Sequence, residues 1–210
     1  MGLLTRALPW RAGWRVLDVG CGAGRHARAL VAAGARPVGL DLSPELLACA
    51  KQTGVPLVRA DMRALPVRPR SVDLVVNLFT SFGYFEDDAE HARVLRGFAD
   101  VLAPGGWFAL DFLNADSVRR GLVSDEVQQL GVGPVHIRRE LHDGGRRVVK
   151  TMHIPDGRTF VERVRLFQPD ELEAMLRDAG LSVESRFGDY GGGPLGPGAP
   201  RTILLSRLIA

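Results

Sequence analysis

An apolar run passes into a glycine turn in the stretch Val16-Leu17-Asp18-Val19-Gly20-Cys21-Gly22-Ala23-Gly24. Residues 15–19 predict a short buried strand, and residues 27–33 predict the helix that follows the turn. Gly20 and Gly22 permit a tight turn and let a ligand approach the backbone. The stretch therefore indicates a ligand site between the first strand and the first helix of an α/β fold.

The spacing of the glycines distinguishes two kinds of cofactor. The dinucleotide fingerprint needs a glycine or alanine three residues after its second glycine, and this chain has Arg25 there. Asp18 also precedes the turn, where a carboxylate can bind the ammonium group of an aminoacyl tail, directly or through water. Both features favour S-adenosylmethionine over a nicotinamide cofactor.

Two further acids follow the next two predicted strands, residues 37–40 and 56–59. Asp41 comes about 20 residues after Gly20, where an acid reaches the ribose hydroxyls of a nucleotide. Asp61 is placed to accept a hydrogen bond from an adenine amino group. The side chains expected to sandwich the adenine ring are Leu42, Met62 and Leu78.

Each of these acids also has an ordinary structural interpretation. Asp41 could be a neighbour of the helix cap Ser43, and Asp61 could be a surface acid. Asp18, Asp41 and Asp61 nevertheless belong to three successive strands. That joint placement favours a cofactor site.

Strand-like and helix-like runs alternate along the rest of the chain. Residues 72–77 are continuously apolar, as expected of a parallel strand covered on both faces, and residues 89–102 carry apolar side chains on one helical face. The other predicted elements are strands at 107–112, 182–187 and 202–208 and a helix at 170–178. The pattern predicts a single domain over residues 1–210, with a Rossmann-like, seven-stranded, mostly parallel sheet and helices on both faces.

An antiparallel insertion is predicted at about residues 130–167. Its strand-like runs are residues 134–141, 148–154 and 159–167, joined by Asp143-Gly144-Gly145 and Asp156-Gly157. Both joins are hairpin turn signals. We therefore expect a small antiparallel sheet beside the main one.

The composition is that of a globular protein, with 46% hydrophobic residues, 24% charged residues and a formal net charge of +3. Because the arginines are spread along the chain, we expect no nucleic-acid partner, and because no apolar run is long enough to span a membrane, we expect no membrane partner. Cys21 and Cys49 indicate reduced thiols in a cytoplasmic protein, Cys21 packing in the turn and Cys49 in a helix core. The histidines lack metal-ligand spacing, so we expect no metal site.

Taken together, these motifs resemble class I S-adenosylmethionine-dependent methyltransferases. Residues 17–25 match the first motif of that family, Asp41 its ribose acid and Asp61-Met62 its adenine motif, and residues 71–76 and 102–106 match the fourth strand and the turn before the fifth. Residues 77–85 and the insertion resemble a bacterial subgroup of the small-molecule type. The resemblance implies a cofactor-binding set of Asp18, Gly20, Cys21, Gly22, Ala23, Gly24, Asp41, Leu42, Asp61, Met62, Asn77 and Leu78.

Two departures from the family pattern affect the expectations. Enzymes that methylate amino groups of nucleic acids carry Asn-Pro-Pro-Tyr or a close variant after the fourth strand, whereas here Leu78-Phe79-Thr80 follows Asn77. In addition, the segment before the first strand is shorter than the one with which relatives cover the cofactor. We therefore expect the cofactor edge near Asp18 and Gly22 to be open, or to be closed by a neighbouring subunit in a homo-oligomer.

The acceptor is expected where three loops meet above the cofactor: residues 77–85, the insertion, and residues 189–201. Aromatic walls with a few placed polar groups suit a small molecule. The side chains expected to form these walls are Phe82, Tyr84 and Tyr190.

Arg201 is the cation expected in the same place. An arginine fork suits a carboxylate or a phosphate, so we hypothesise a small, anionic acceptor held by Arg201. The structural alternative is that Arg201 pairs with Asp189 and ties down the glycine-rich loop.

No catalytic side chain is strictly required, because the sulfonium donor is already activated and the enzyme supplies mainly proximity and orientation. Tyr84 and His91 are the candidates for a general base; their ordinary interpretations are an apolar wall and a surface position. Two other functions stay open: a nicotinamide-dependent oxidoreductase on the same sheet, and a non-catalytic S-adenosylmethionine-binding module.

Overall fold

A seven-stranded sheet and a separate four-stranded sheet organise the computed structural model, which describes residues 1–209. The strands are β1 Arg15–Val19, β2 Arg36–Asp41, β3 Leu57–Arg59, β4 Val72–Asn77, β5 Leu102–Leu113, β6 Asp125–Leu130, β7 Gly133–His142, β8 Arg147–His153, β9 Thr159–Arg165, β10 Leu181–Phe187 and β11 Arg201–Leu208. The large sheet has the order β10-β11-β5-β4-β1-β2-β3. Neighbouring strands of this sheet run parallel, except that β11 is antiparallel to both β5 and β10. The predicted Rossmann-like sheet is confirmed.

The helices are α1 Gly2–Ala7, α2 Arg25–Ala32, α3 Pro44–Ala50, α4 Asp88–Val101, α5 Ala115–Arg120 and α6 Pro169–Asp178. Helix α3 begins as predicted, because the backbone N–H of Leu46 donates to the Ser43 hydroxyl at 3.1 Å. Helices α1 and α5 are not predicted by the sequence. None of the helices in residues 1–209 is long and apolar enough to cross a membrane.

Two apolar cores cover the two faces of the large sheet. One joins α4 and α6 to β4, β5 and the inner face of the small sheet. The other joins α1 to β1, β4 and β11, with Leu3, Leu4 and Leu8 of the N-terminal segment buried. Cys49 is exposed on α3, which corrects its interpretation as helix core, because Leu47 and Ala50 form the buried side of that helix.

The small sheet is antiparallel with the order β6-β7-β8-β9. It confirms the predicted insertion but begins earlier, at Asp125, because β6 pairs with β7. The last residue of β9, Arg165, anchors the sheet. Its guanidinium, 4% exposed, pairs with Glu171 at 2.7 Å and with Asp88 at 3.3 Å, which ties the small sheet to α6 and α4.

His91 is fully buried, which corrects its interpretation as a surface residue. Its Nδ1 lies 2.8 Å from the Asp87 carbonyl oxygen, and its Nε2 accepts the Phe85 backbone N–H at 3.3 Å. The rings of Phe82, Phe85 and Phe167 meet it edge-on, with centroids 5.0–5.1 Å away. A neutral imidazole protonated on Nδ1 satisfies both hydrogen bonds.

We expect His91 to make stability fall in mild acid. Burial lowers the pKa of His91 below its ordinary value of 6.5, so between the two values the unfolded chain binds a proton that the folded chain does not. Stability then decreases as the pH falls through 6.5, with a slope of up to about 1.4 kcal/mol per pH unit. Urea unfolding at pH 7.5 and pH 5.5 measures this loss. Burial raises the pKa of Asp18 to about 7, which has the opposite effect on stability over this range. The contribution of His91 is therefore read from the difference between the wild type and His91→Gln: acid should be less favourable to the wild type, and an equal change in both proteins would contradict the assignment.

Candidate functional site

The glycine turn lies between β1 and α2, at the carboxyl edge of the large sheet. Gly20 and Gly22 have φ values of 71° and 52°, a region that favours glycine. The Leu40 carbonyl accepts the N–H of Gly20 at 2.7 Å, and Asp41 Oδ2 accepts the N–H of Gly22 at 2.8 Å. A Cβ atom on Gly20 would approach Ser81 Cβ to 2.5 Å, so glycine is required there on steric grounds as well.

Asp18 lies under this turn and is 1% exposed. Its Oδ2 has no hydrogen-bond partner within the described part of the chain. Burial, and then the charge of Asp41, raises the pKa of Asp18 to about 7. The burial corrects the expectation of an open edge at this residue. A buried carboxylate without a donor is costly, which marks the position as one where a ligand donor or cation fits.

Asn77 ends β4 beside Asp18 and is fully buried. Its amide nitrogen donates to the Val19 carbonyl at 3.0 Å, whereas its Oδ1 has no partner among residues 1–209. Two buried oxygen acceptors therefore lie at the ends of adjacent strands. This is where the sequence predicts the aminoacyl end of a cofactor.

A cavity of about 540 Å³, here called the glycine-turn cavity, opens beyond Gly20. The structure brings together there the predicted residues Asp41, Leu42, Asp61 and Met62. Asp61 is held by Arg63, whose Nη2 lies 2.7 Å from Asp61 Oδ2. Leu78 packs in the core on the α1 side of the sheet, which corrects its predicted place against the adenine ring.

Other members of the predicted turn set have different surroundings. Cys21 is buried, and burial first, then the charge of Asp18, raises the pKa of its thiol to about 12; a thiol of that kind packs and does not act as a nucleophile. Ala23 is exposed, and Gly24 is the residue before α2.

A second cavity of about 780 Å³, here called the small-sheet cavity, lies between β5, α5 and the inner face of the small sheet. Its apolar wall includes Leu113, Val118 and Val148, and its charged wall is formed by Glu126, Arg139, Lys150 and Glu162. The side chains common to both cavities are Phe79, Thr80 and Tyr84. The two cavities therefore meet at the loop after β4.

Comparison with known proteins agrees with this geometry. A family model described as a methyltransferase domain matches residues 16–106. The dTDP-3-amino-3,4,6-trideoxy-alpha-D-glucopyranose N,N-dimethyltransferase of Streptomyces venezuelae is 31% identical over 88% of this chain and 82% of its own. The chain belongs to the S-adenosylmethionine-dependent methyltransferases. The predictions of a methyltransferase and of its cofactor are confirmed.

Solved structures of this family share the fold of the methyltransferase. The CcbJ methyltransferase from Streptomyces caelestis aligns with a TM-score of 0.84 at 21% identity, covering 99% of this chain and 88% of its own. CalS10 with bound SAM, an amino pentose methyltransferase from Micromonospora echinaspora, aligns with a TM-score of 0.70 at 26% identity, covering 99% and 87%.

The predicted acceptor residues of the methyltransferase separate into different places. Tyr84 lines both cavities. Phe82 is fully buried among Phe112, Phe167 and His91, so its predicted place as an acceptor wall is wrong. Tyr190 is half exposed and donates its hydroxyl to Asp111 Oδ2 at 2.9 Å.

Arg201 lines the small-sheet cavity, but its charge is already paired. Its Nε donates to Asp111 Oδ1 at 2.7 Å, and its Nη2 donates to the Thr80 hydroxyl at 3.0 Å. The alternative pairing with Asp189 is wrong, because Asp189 accepts the backbone N–H groups of Gly191 and Gly193 instead.

Sequence reasoning missed Asp111 and Glu162. Asp111 lies near the end of β5 in a run of apolar residues, where a lone acid is the available signal. In β9, Glu162 alternates with apolar residues, a pattern that any solvent-exposed strand residue also shows. Only the packing of the small sheet places Glu162 in the wall of a cavity, so the sequence pattern alone gives no signal for it.

Proposed function

We propose that the methyltransferase transfers a methyl group to an amine nitrogen of a small polar acceptor in the small-sheet cavity, with S-adenosylmethionine in the glycine-turn cavity. The observation that carries this proposal is that two cavities of suitable size meet at Phe79, Thr80 and Tyr84. Such an arrangement brings donor and acceptor together while each keeps its own binding groups.

The residues around the glycine turn fit the cofactor. The unpartnered Asp18 Oδ2 would bind the ammonium group of the methionine part, which neutralises a buried carboxylate. A Cβ atom on Gly22 would meet nothing within 4 Å in the described chain, so the backbone there is open to a ligand. Asp41 would bind the ribose, and Asp61 with Met62 the adenine. When bound, the cofactor supplies a methyl group activated by the sulfonium charge.

Asp41 and Asp61 keep acceptor capacity for these roles. Asp41 already accepts the N–H groups of Gly22 and Ser43, and Asp61 already accepts Arg63. A carboxylate has about four lone-pair sites, so each acid can hold its protein partner and a ligand hydrogen bond together.

The charged wall of the small-sheet cavity supports a polar acceptor. Arg139, Lys150 and Glu162 stand opposite one another on β7, β8 and β9. Arg139 pairs closely with Glu126, with Nη2 and Oε1 2.7 Å apart, whereas Lys150 Nζ lies 3.4 Å from Glu162 Oε2. Glu162, 41% exposed, is therefore the carboxylate with the most room for a ligand ammonium group.

Glu162 also lies near the point where the cavities meet. Burial, and then the charge of Glu162, raises the pKa of Tyr84 to about 12, so Tyr84 keeps its proton near neutral pH, which favours a hydrogen-bonding role for it over that of a general base. We assign Tyr84 to orient the acceptor, and Glu162 to bind its ammonium group and take up the proton that the nitrogen must lose before its lone pair attacks the methyl carbon. The Streptomyces venezuelae relative, by its name, methylates at nitrogen. Asp111 already neutralises Arg201. We therefore take the main contact of the acceptor to be its amine on Glu162, and not an anionic group on Arg201.

Labelled methyl transfer to three probes of similar shape tests the proposal: 2-phenylethylamine, 4-ethylphenol and 3-phenylpropionate. We expect the amine to be methylated fastest, and Glu162→Gln to lower that rate about tenfold or more, since one charge-assisted bond is lost. Glu140→Gln is the matched control, because Glu140 alternates with Arg139 and belongs to the opposite face of β7. Preferential methylation of the phenol or the carboxylate would contradict the proposal.

A further inference from the structure

The loop after β4 has an unusual backbone. Phe79 and Thr80 have φ values of 57° and 64°, although neither is glycine. Such a conformation is strained for a residue with a Cβ atom and persists only where the surroundings hold it. These two residues line both cavities, so the strained backbone lies where donor and acceptor would meet.

Asp111 of β5 holds this loop. Its Oδ2 accepts the Phe79 N–H at 3.0 Å, and its carbonyl oxygen accepts the Thr80 N–H at 3.0 Å. Asp111 is 3% exposed and pairs in register with Ile203 of β11. Its position is therefore fixed by the pairing of β5 with β11 near the carboxyl end of β5.

The same carboxylate also accepts hydrogen bonds from two side chains in the C-terminal part of the chain. Its Oδ1 accepts Arg201 Nε at 2.7 Å, and its Oδ2 accepts the Tyr190 hydroxyl at 2.9 Å. Arg201 in turn donates to the Thr80 hydroxyl. One buried carboxylate thus joins three segments that are distant in sequence.

This network orders groups that contribute little to the core. Phe79 is 59% exposed and Tyr190 is 54% exposed, so holding them does not serve mainly to bury apolar surface. Two guanidinium groups contact the Phe79 ring, that of Arg25 at 4.4 Å from the ring centroid and that of Arg201 at 5.8 Å. Fixing exposed groups at a strained turn is what preorganisation of a reaction site requires.

We propose that Asp111 is a positioning residue that fixes Phe79 and Thr80 as the boundary between the glycine-turn cavity and the small-sheet cavity. The inference rests on the proposed function, since it takes one cavity to hold the methyl donor and the other the acceptor. Asp111 acts through the loop and the Arg201 side chain. By fixing this boundary, Asp111 fixes the position of the methyl group of the cofactor between the two cavities. Without Asp111 that position is less well defined.

Two measurements on Asp111→Ala and Asp111→Asn test this. Hydrogen exchange of the peptide 78–85 should become about tenfold faster or more in Asp111→Ala, because charge-assisted hydrogen bonds to the loop are lost. Asp111→Asn, which keeps one carbonyl acceptor, should show a smaller increase. In the second measurement, the NMR signal of S-adenosylmethionine carrying a ¹³C-methyl group should broaden or move toward its free position in both variants.

Asp73→Ala is the matched control. Asp73 also accepts a backbone N–H and a guanidinium, both from Arg15, but at the start of β4 and on the opposite edge of the sheet. The control should leave the exchange of 78–85 and the methyl signal as in the wild type. The proposal is overturned if Asp111→Ala leaves both unchanged, or if Asp73→Ala changes both equally. If the wild type gives no bound methyl signal, the proposed function fails, while the exchange comparison still decides whether Asp111 holds the loop.

Discussion

Replacing Asp18 with alanine should weaken S-adenosylhomocysteine binding at pH 8 by about thirtyfold, which corresponds to roughly 2 kcal/mol. At that pH the wild-type carboxylate is ionised, since its pKa is about 7. Its buried Oδ2 has no partner in residues 1–209, so the ligand ammonium group would be its natural counter-charge. Isothermal titration calorimetry of the two proteins measures the difference.

The stability of the ligand-free protein separates this effect from misfolding. Because burial raises the pKa of Asp18, its charged form opposes folding, and removing it should leave the melting temperature unchanged or higher at pH 8. Asp18→Asn should behave in the same way with a smaller loss of packing. Unchanged affinity in both variants would show that Asp18 is not a cofactor ligand.

Replacing Arg165 with alanine should lower the free energy of unfolding by about 2–3 kcal/mol, because the charge-assisted hydrogen bonds of a buried guanidinium are lost. The Arg165 guanidinium is 4% exposed and pairs with Asp88 and Glu171. It also donates to the Leu166 carbonyl at 2.7 Å and lies over the Phe167 ring, 4.5 Å from the centroid. Its loss leaves Glu171 without its guanidinium partner, leaves Asp88 with only the more distant Arg146 at 3.5 Å, and removes the anchor of the small sheet.

Urea denaturation measures this change, with Arg186→Ala as the control. Arg186 also makes a two-pronged pair, with Glu173, but its side chain is 47% exposed, so its loss should cost about 1 kcal/mol or less. A cost for Arg165→Ala as small as that of the control would contradict the anchoring role. It would also imply that the small sheet is held mainly by its apolar inner face.

The parts of the fold predicted from the sequence are those that local signals specify. The glycine turn at Gly20 and Gly22, the apolar run 72–77 and the cap at Ser43 each fix an element by backbone conformation or periodicity. The alternation of strands and helices along the chain then specifies a mostly parallel sheet, because the crossover connections between parallel strands are right-handed. Asp41 and Asp61 follow from that order, since Asp41 ends β2 and Asp61 comes two residues after β3, both at the ligand edge.

The parts that could not be predicted depend on tertiary contacts. Strand β6 is polar and exposed and exists because β7 pairs with it. His91 follows the cap of α4, as a surface residue would, yet Phe82 and Phe167 enclose it. The left-handed backbone of Phe79 goes against its residue type and is held by Asp111 from another strand. No local pattern encodes such contacts.

The pH dependence of S-adenosylhomocysteine affinity tests the central claim, that the buried Asp18 carboxylate binds the ammonium group of the cofactor. Calorimetric titrations of the wild type between pH 6 and pH 8.5 should give an affinity that rises with pH and levels off above about 7, where Asp18 is ionised. Below that value the affinity should fall by up to tenfold per pH unit, because binding must displace the carboxyl proton. An affinity that does not change across this range, or no binding at any pH, would contradict the claim.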